Sequence, residues 1–120
     1  MAKTFLLLGA LAGAVGVALG AFGAHALRSR ISPEMLAVFE TGVRYQMYHA
    51  LALVALAAIE PRMGGYLVAT AGWSFAVGIV LFSGSLYVLA LTGATAFGIV
   101  TPFGGLAFLV GWAALAIAAI

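Results

Sequence analysis

Four apolar stretches, Thr4–Leu27, Val43–Ile59, Gly65–Leu91 and Thr101–Ile120, each approach or exceed the ~20 helical residues that cross a hydrocarbon core of roughly 30 Å. Inside lipid every backbone N–H and C=O must be paired within the protein, which leaves helices or a closed barrel. The alternation of apolar and polar residues that marks barrel strands is absent, so the expected fold is an all-α, up-and-down integral membrane four-helix bundle, one domain over residues 1–120. With 66% hydrophobic and 7% charged residues, the chain lacks the polar surface a water-soluble globule of this size requires, and its surroundings are a lipid bilayer.

The first run resembles a secretory leader, since Lys3 precedes it and Ala24-His25-Ala26 imitates a small-residue cleavage site. Its length exceeds the usual apolar segment of a leader, so it is expected to stay as a spanning helix. The second helix is expected to begin before the membrane does: Ser32 is placed to cap, Pro33 to occupy the first helical position and Glu34 to sit at the positive dipole end. It would run over residues 33–59, with Glu60-Pro61-Arg62-Met63-Gly64-Gly65 as the turn into the third helix.

Glycine patterning points to close helix packing. Gly9, Gly13, Gly16, Gly20 and Gly23 fall on one stripe of the first helix, and Gly104 and Gly111, with Ala107, Ala114 and Ala118, on one stripe of the fourth. Such small-residue seams let helices approach within the chain or between copies of it.

Polar chemistry concentrates in the second helix, whose half bearing Glu40, Thr41, Arg44, Tyr45, Tyr48 and His49 opposes Val43, Ala50, Leu53, Val54 and Ala57. An ionisable face in a spanning helix is costly against lipid, so this half is expected to turn toward other helices, with Arg44 contacting Glu40 or the serines of the third helix. Antiparallel threading brings His25, Ser83, Ser85 and Tyr87 to the same leaflet, beside the segment Arg28–Glu34, while Leu53, Val54, Trp73 and Trp112 form an apolar half. His49 is expected to be neutral and hydrogen-bonded.

Three functions are open to this cluster. Its members satisfy one another and hold four helices in register, as in a structural or accessory subunit. Alternatively they line a path for a small solute or for protons through His25 and His49, which for so few helices requires an oligomer. Catalysis is the weakest, because no histidine pair at i,i+4, acid dyad or nucleophile beside a base is present. His25 and His49 could meet in space as two metal ligands, but with only Glu40 as a nearby carboxylate and no cysteine in the chain, and with the glycine strings inside apolar helices rather than in a phosphate loop, no cofactor or metal is expected. Lys3, Arg28, Arg30, Arg44 and Arg62 never cluster, which argues against nucleic acid. Their distribution leans toward the Arg28 side being cytoplasmic.

Four segments, Gly20-Ala-Phe-Gly-Ala-His-Ala-Leu27, Thr41-Gly-Val-Arg-Tyr-Gln-Met-Tyr-His-Ala-Leu-Ala-Leu53, Leu81-Phe-Ser-Gly-Ser-Leu-Tyr87 and Thr101-Pro-Phe-Gly-Gly-Leu-Ala-Phe108, together resemble the domain of unknown function 423 family, the transmembrane protein 256 and YwdK-like proteins. The resemblance covers nearly the whole chain. It implies a small four-helix protein, mostly of bacterial plasma membranes, without an established activity, and it supplies no catalytic or binding residues. A homo-oligomer or a place in a larger membrane complex is the expected assembly.

Overall fold

A computed structural model describes all 120 residues, and they form four long helices without a strand. Helix α1 spans Ala2–His25, α2 Pro33–Met63, α3 Gly65–Thr92 and α4 Thr101–Ala118. Short 3-10 turns at Leu27–Ser29 and Thr95–Ile99 bridge α1 to α2 and α3 to α4. By length and composition α1, α3 and the Thr95–Ala118 segment are each apolar enough to cross a membrane. α2 is the longest helix, at 31 residues, but it carries three acidic and two basic side chains.

Local chemistry accounts for the ends of α2. The Ser32 hydroxyl accepts from the Met35 N–H at 3.2 Å, and Pro33 follows at the first helical position, where its missing N–H is not needed. The far end departs from expectation, for the helix continues through Pro61 to Met63 instead of stopping at Ile59. Pro61 costs one ladder bond in the last turn, whereas reversal of the chain needs a positive φ, which Gly64 (49°) and Gly65 (85°) supply.

Within α3, residues Ile79–Ser83 form a π-helical turn. Ahead of it the helix buries Val68, Ala71, Gly72, Phe75 and Gly78; beyond it, Ser85, Leu86 and Ala90. Phe82, in the turn, lies against Gly104 so closely that a Cβ there would collide with the Phe82 backbone. This is the tightest approach of α4 to α3.

α1 packs chiefly on α2 and α4 chiefly on α3, with α2 and α3 in the middle of a particle measuring 47 × 26 × 18 Å. The main core is Phe5, Leu53, Leu56, Val68, Ala71, Phe75 and Phe108, and a smaller one joins Leu27, Phe39 and Ala90 near the Arg28 end. Glycines in this core act mostly as seats for large side chains. Phe5 lies on Gly72, Phe108 on Gly78, Phe75 on Gly111, Tyr87 on Gly42, Phe39 on Gly23 and Met47 on Gly16. Such interdigitation gives helices in lipid their dispersion contacts, since lipid tails are as apolar as leucine and supply no hydrophobic drive. Of the α1 stripe, Gly9 approaches the Ala50 carbonyl, Gly20 makes only ordinary contact with Val43, and Gly13 faces open space, so that position does not share in the seam.

Candidate functional site

α2 presents a buried stripe at alternating spacings of three and four, Phe39, Gly42, Gln46, His49, Leu53 and Leu56. Two polar residues of this stripe organise the interior. The Gln46 side chain, almost fully buried, donates through Nε2 to the Ala12 carbonyl of α1 at 2.8 Å and accepts at Oε1 from the Tyr87 hydroxyl of α3 at 2.6 Å. One amide therefore joins three helices. Ser83 adds a bond from α3 to the Gly42 carbonyl of α2 at 2.6 Å. The Ser85 hydroxyl lies 2.9 Å from the Phe82 carbonyl and shares a hydrogen bond of 2.6 Å with the Thr101 hydroxyl of α4.

His49 lies in the same stripe and is equally buried. Its Nδ1 is 2.7 Å from the Tyr45 carbonyl, and the indole N–H of Trp112 in α4 donates to its Nε2 at 3.1 Å. A carbonyl can only accept and an indole N–H only donate, so the two partners specify a neutral ring with its proton on Nδ1. The imidazole is stacked on Phe108, centroids 3.5 Å apart and planes 7° from parallel, with Phe75 beside it.

The charged residues lie elsewhere. Glu40 and Arg44 point away from the buried stripe, both are exposed, and neither makes an ion pair or a hydrogen bond within the chain. This corrects the expectation of an inward Arg44 anchored by Glu40 or the serines. The stripe of Phe39, Gly42, Leu53 and Leu56 has the shapes that fit α1 and α3, and burying it forces the opposite face outward. Arg44 tolerates that position because Gly20 faces Val43 and Gly23 faces Phe39, which puts it one to two turns inside the end of α1, within reach of the interface for a long side chain. His25 also stays out: it is exposed and bonds only to the Ala21 carbonyl, at 2.8 Å. With Ala12 level with Gln46, thirteen residues of α1 set His25 roughly 20 Å along the bundle from the His49 region, so the two histidines do not meet.

Tyr45 and Tyr48 occupy the rim. They are 37% and 54% exposed, in edge contact with each other, and their hydroxyls have no partner within the chain. Beside them, where the backbones of α2 and α4 stand apart, runs a groove of about 390 Å³ lined by Tyr45, Tyr48, His49, Phe82, Phe108 and Trp112, with Gly105 and Leu109 completing it. A second groove of about 280 Å³ lies between α1 and α3, lined by apolar side chains with Gln46 as its one polar residue.

Trp112, expected in an apolar half, is thus the partner of His49, and the polar groups run from the Arg28 end to mid-bundle, in one half of its length. The residues missed by sequence reasoning are Gln46 and Trp112. For Gln46 a signal existed: it is the lone amide in a three-four apolar spacing. Trp112 carried none, since its partner lies 63 positions away.

Comparison with known proteins agrees with this architecture. The family described as protein of unknown function (DUF423) matches residues 19–105, which include the α1 end, all of α2 and α3, and the start of α4. The chain belongs to the DUF423 family. Its relatives in DUF423 include the UPF0382 membrane protein YwdK of Bacillus subtilis, 47% identical over 98% of this chain and 97% of that protein. The UPF0382 inner membrane protein YgdD of Escherichia coli is 42% identical over 98% and 90% of the two chains. No solved structure matches. As a DUF423 member with three helices apolar enough to span, the protein is a multi-pass protein of the bacterial plasma membrane.

Proposed function

We propose that this protein is a non-enzymatic helical bundle that works by lateral association in the membrane, with copies of itself or as an accessory subunit of a larger membrane complex. One observation carries this reading: no buried side-chain nitrogen or oxygen is left without a hydrogen-bond partner. Gln46, His49, Ser83, Ser85 and Tyr87 use their polar atoms to join helices, and His49 has both nitrogens engaged. A solute path needs polar atoms free to exchange partners, and a proton path needs an imidazole nitrogen free to accept. The buried polar atoms of this bundle are all committed to partners, which favours the structural reading over a path. The outward Glu40 and Arg44 fit a surface that meets other protein, because ionisable side chains in spanning helices are costly against lipid.

The test is reconstitution. Proteoliposomes containing the protein are expected to conduct protons and small anions no faster than empty vesicles, and the chain extracted gently from membranes is expected to migrate above its monomer mass. Wild-type flux that vanishes in His49→Phe makes the protein a conduit and sinks this reading.

A further inference from the structure

The groove between α2 and α4 has features that helix packing does not explain. Its walls are aromatic: Tyr45, His49 and Phe108 lie nearly parallel, their planes 7° to 23° apart, with Phe82 at 4.7 Å from the Tyr45 ring and Trp112 opposite. At Gly105 the wall has no side chain, and a Cβ there would find its nearest neighbour only at 3.9 Å, so this glycine is not demanded by any contact within the fold. The groove opens sideways, at the depth of His49 and Trp112, toward the lipid. Along its rim two phenol hydroxyls, those of Tyr45 and Tyr48, have no acceptor in the chain. A hydroxyl facing hydrocarbon without a partner carries a desolvation penalty, and tyrosines in apolar surroundings ordinarily find one.

Flat walls, two donors and a sideways entrance describe the complement of one ligand type: a planar ring, soluble in the bilayer, carrying carbonyl oxygens and an apolar tail. We propose that the α2–α4 groove is a binding site for a lipid-soluble ring of the quinone class, its carbonyls accepting from Tyr45 and Tyr48. The ring lies over Gly105 between the tyrosines and Trp112, and the tail follows Leu109 into the lipid. The chain binds this molecule without altering it; no electron transfer is part of the proposal. This inference is separate from the lateral-association reading, since a bundle that associates need not bind a ring, but association through the Arg44 face has to leave Tyr48 and the groove uncovered.

Trp112 is a built-in reporter. In nanodiscs, a Trp73→Phe protein leaves Trp112 as the sole indole, and decylbenzoquinone is expected to quench it saturably, with decylbenzene, which keeps ring and tail but lacks the carbonyls, competing about tenfold or more weakly. The double variant Tyr45→Phe plus Tyr48→Phe, which keeps both rings, is expected to weaken quinone binding by about tenfold or more. Gly105→Leu fills the floor and is expected to abolish saturation while leaving the melting temperature near wild type. Quenching that rises linearly with membrane quinone content and is the same in every variant overturns the proposal, as does equal competition by decylbenzene. Complete disulfide formation between copies at Tyr48→Cys also overturns it, because the groove is then covered by a second chain.

Discussion

The indole N–H of Trp112 donates to Nε2 of His49 across 3.1 Å, joining α4 to α2 where their backbones do not otherwise meet. Apart from this bond and the stacking of His49 on Phe108, α4 is held chiefly by α3. Replacing either partner leaves the other polar atom unpaired in an apolar setting, and Trp112→Phe and His49→Phe are each expected to destabilise the protein by about 0.5–2 kcal/mol. The double change should cost less than the sum, and chemical denaturation in bicelles through a double-mutant cycle measures the difference. Strict additivity means the bond contributes nothing.

Gln46 is expected to be the most sensitive polar position. Gln46→Leu removes the ties to Ala12 and Tyr87 together and strands the Tyr87 hydroxyl, for a loss of about 1–3 kcal/mol. Adding Tyr87→Phe removes the stranded group and should recover part of that loss. If the second change deepens the defect, the hydroxyl has another partner in the membrane.

The glycines divide sharply. Gly104→Ala drives a methyl into the Phe82 backbone and Gly78→Ala drives one into the Phe108 ring, each expected to cost about 1–3 kcal/mol or more. Gly13→Ala meets nothing and removes a flexible residue from mid-helix, so it should stabilise by about 0.5–1 kcal/mol. Melting temperatures of the three variants rank them, and a destabilised Gly13→Ala protein would place another chain against that face.

Arg44→Ala is expected to cost under about 1 kcal/mol and to add independently to Glu40→Ala, because neither side chain has a partner in the chain. A loss of several kcal/mol in the assembled protein, absent from the isolated monomer, would show that association buries the guanidinium.

Three helices qualify as spans by composition alone, and we expect α2 to make the fourth crossing, since it lies antiparallel along α1. Single cysteines at Ala2, Arg62 and Ile120 should then label from one side of the membrane and one at Thr95 from the other. Any other grouping removes the four-span arrangement.

Apolar run length, the Ser32 cap and the glycine pair at Gly64 and Gly65 state the fold openly, because each acts over a few neighbouring residues. The site was harder to read for a physical reason. Helical periodicity shows that α2 has two unlike faces but not which is turned inward, and charge suggested the face bearing Glu40 and Arg44. Shape decided otherwise: Gly42 receives Tyr87, and Leu53 and Leu56 fill the core. A few charges near the end of a helix can be served by the interface, whereas a missing seat for an aromatic ring cannot be replaced. The π-helical turn and the Trp112 to His49 bond depend on neighbours distant in sequence, which one-dimensional spacing does not encode.

That π-helical turn, Ile79–Ser83, also sets how the gene can change length. It adds one residue without a full share of rotation, so the halves of α3 on either side are phased to different neighbours: Phe75 and Gly78 to α4, Ser83 and Tyr87 to α2. Deleting a single codon within those five lets the helix close to regular pitch with both halves still phased to their partners, whereas deleting one from the regular turns on either side would swing the halves by about 100°, taking Ser83 and Tyr87 off their partners at once. The middle of this span is therefore the one stretch where the reading frame has a residue to spare, and a one-residue gap there would mark a relative whose helices pair as these do.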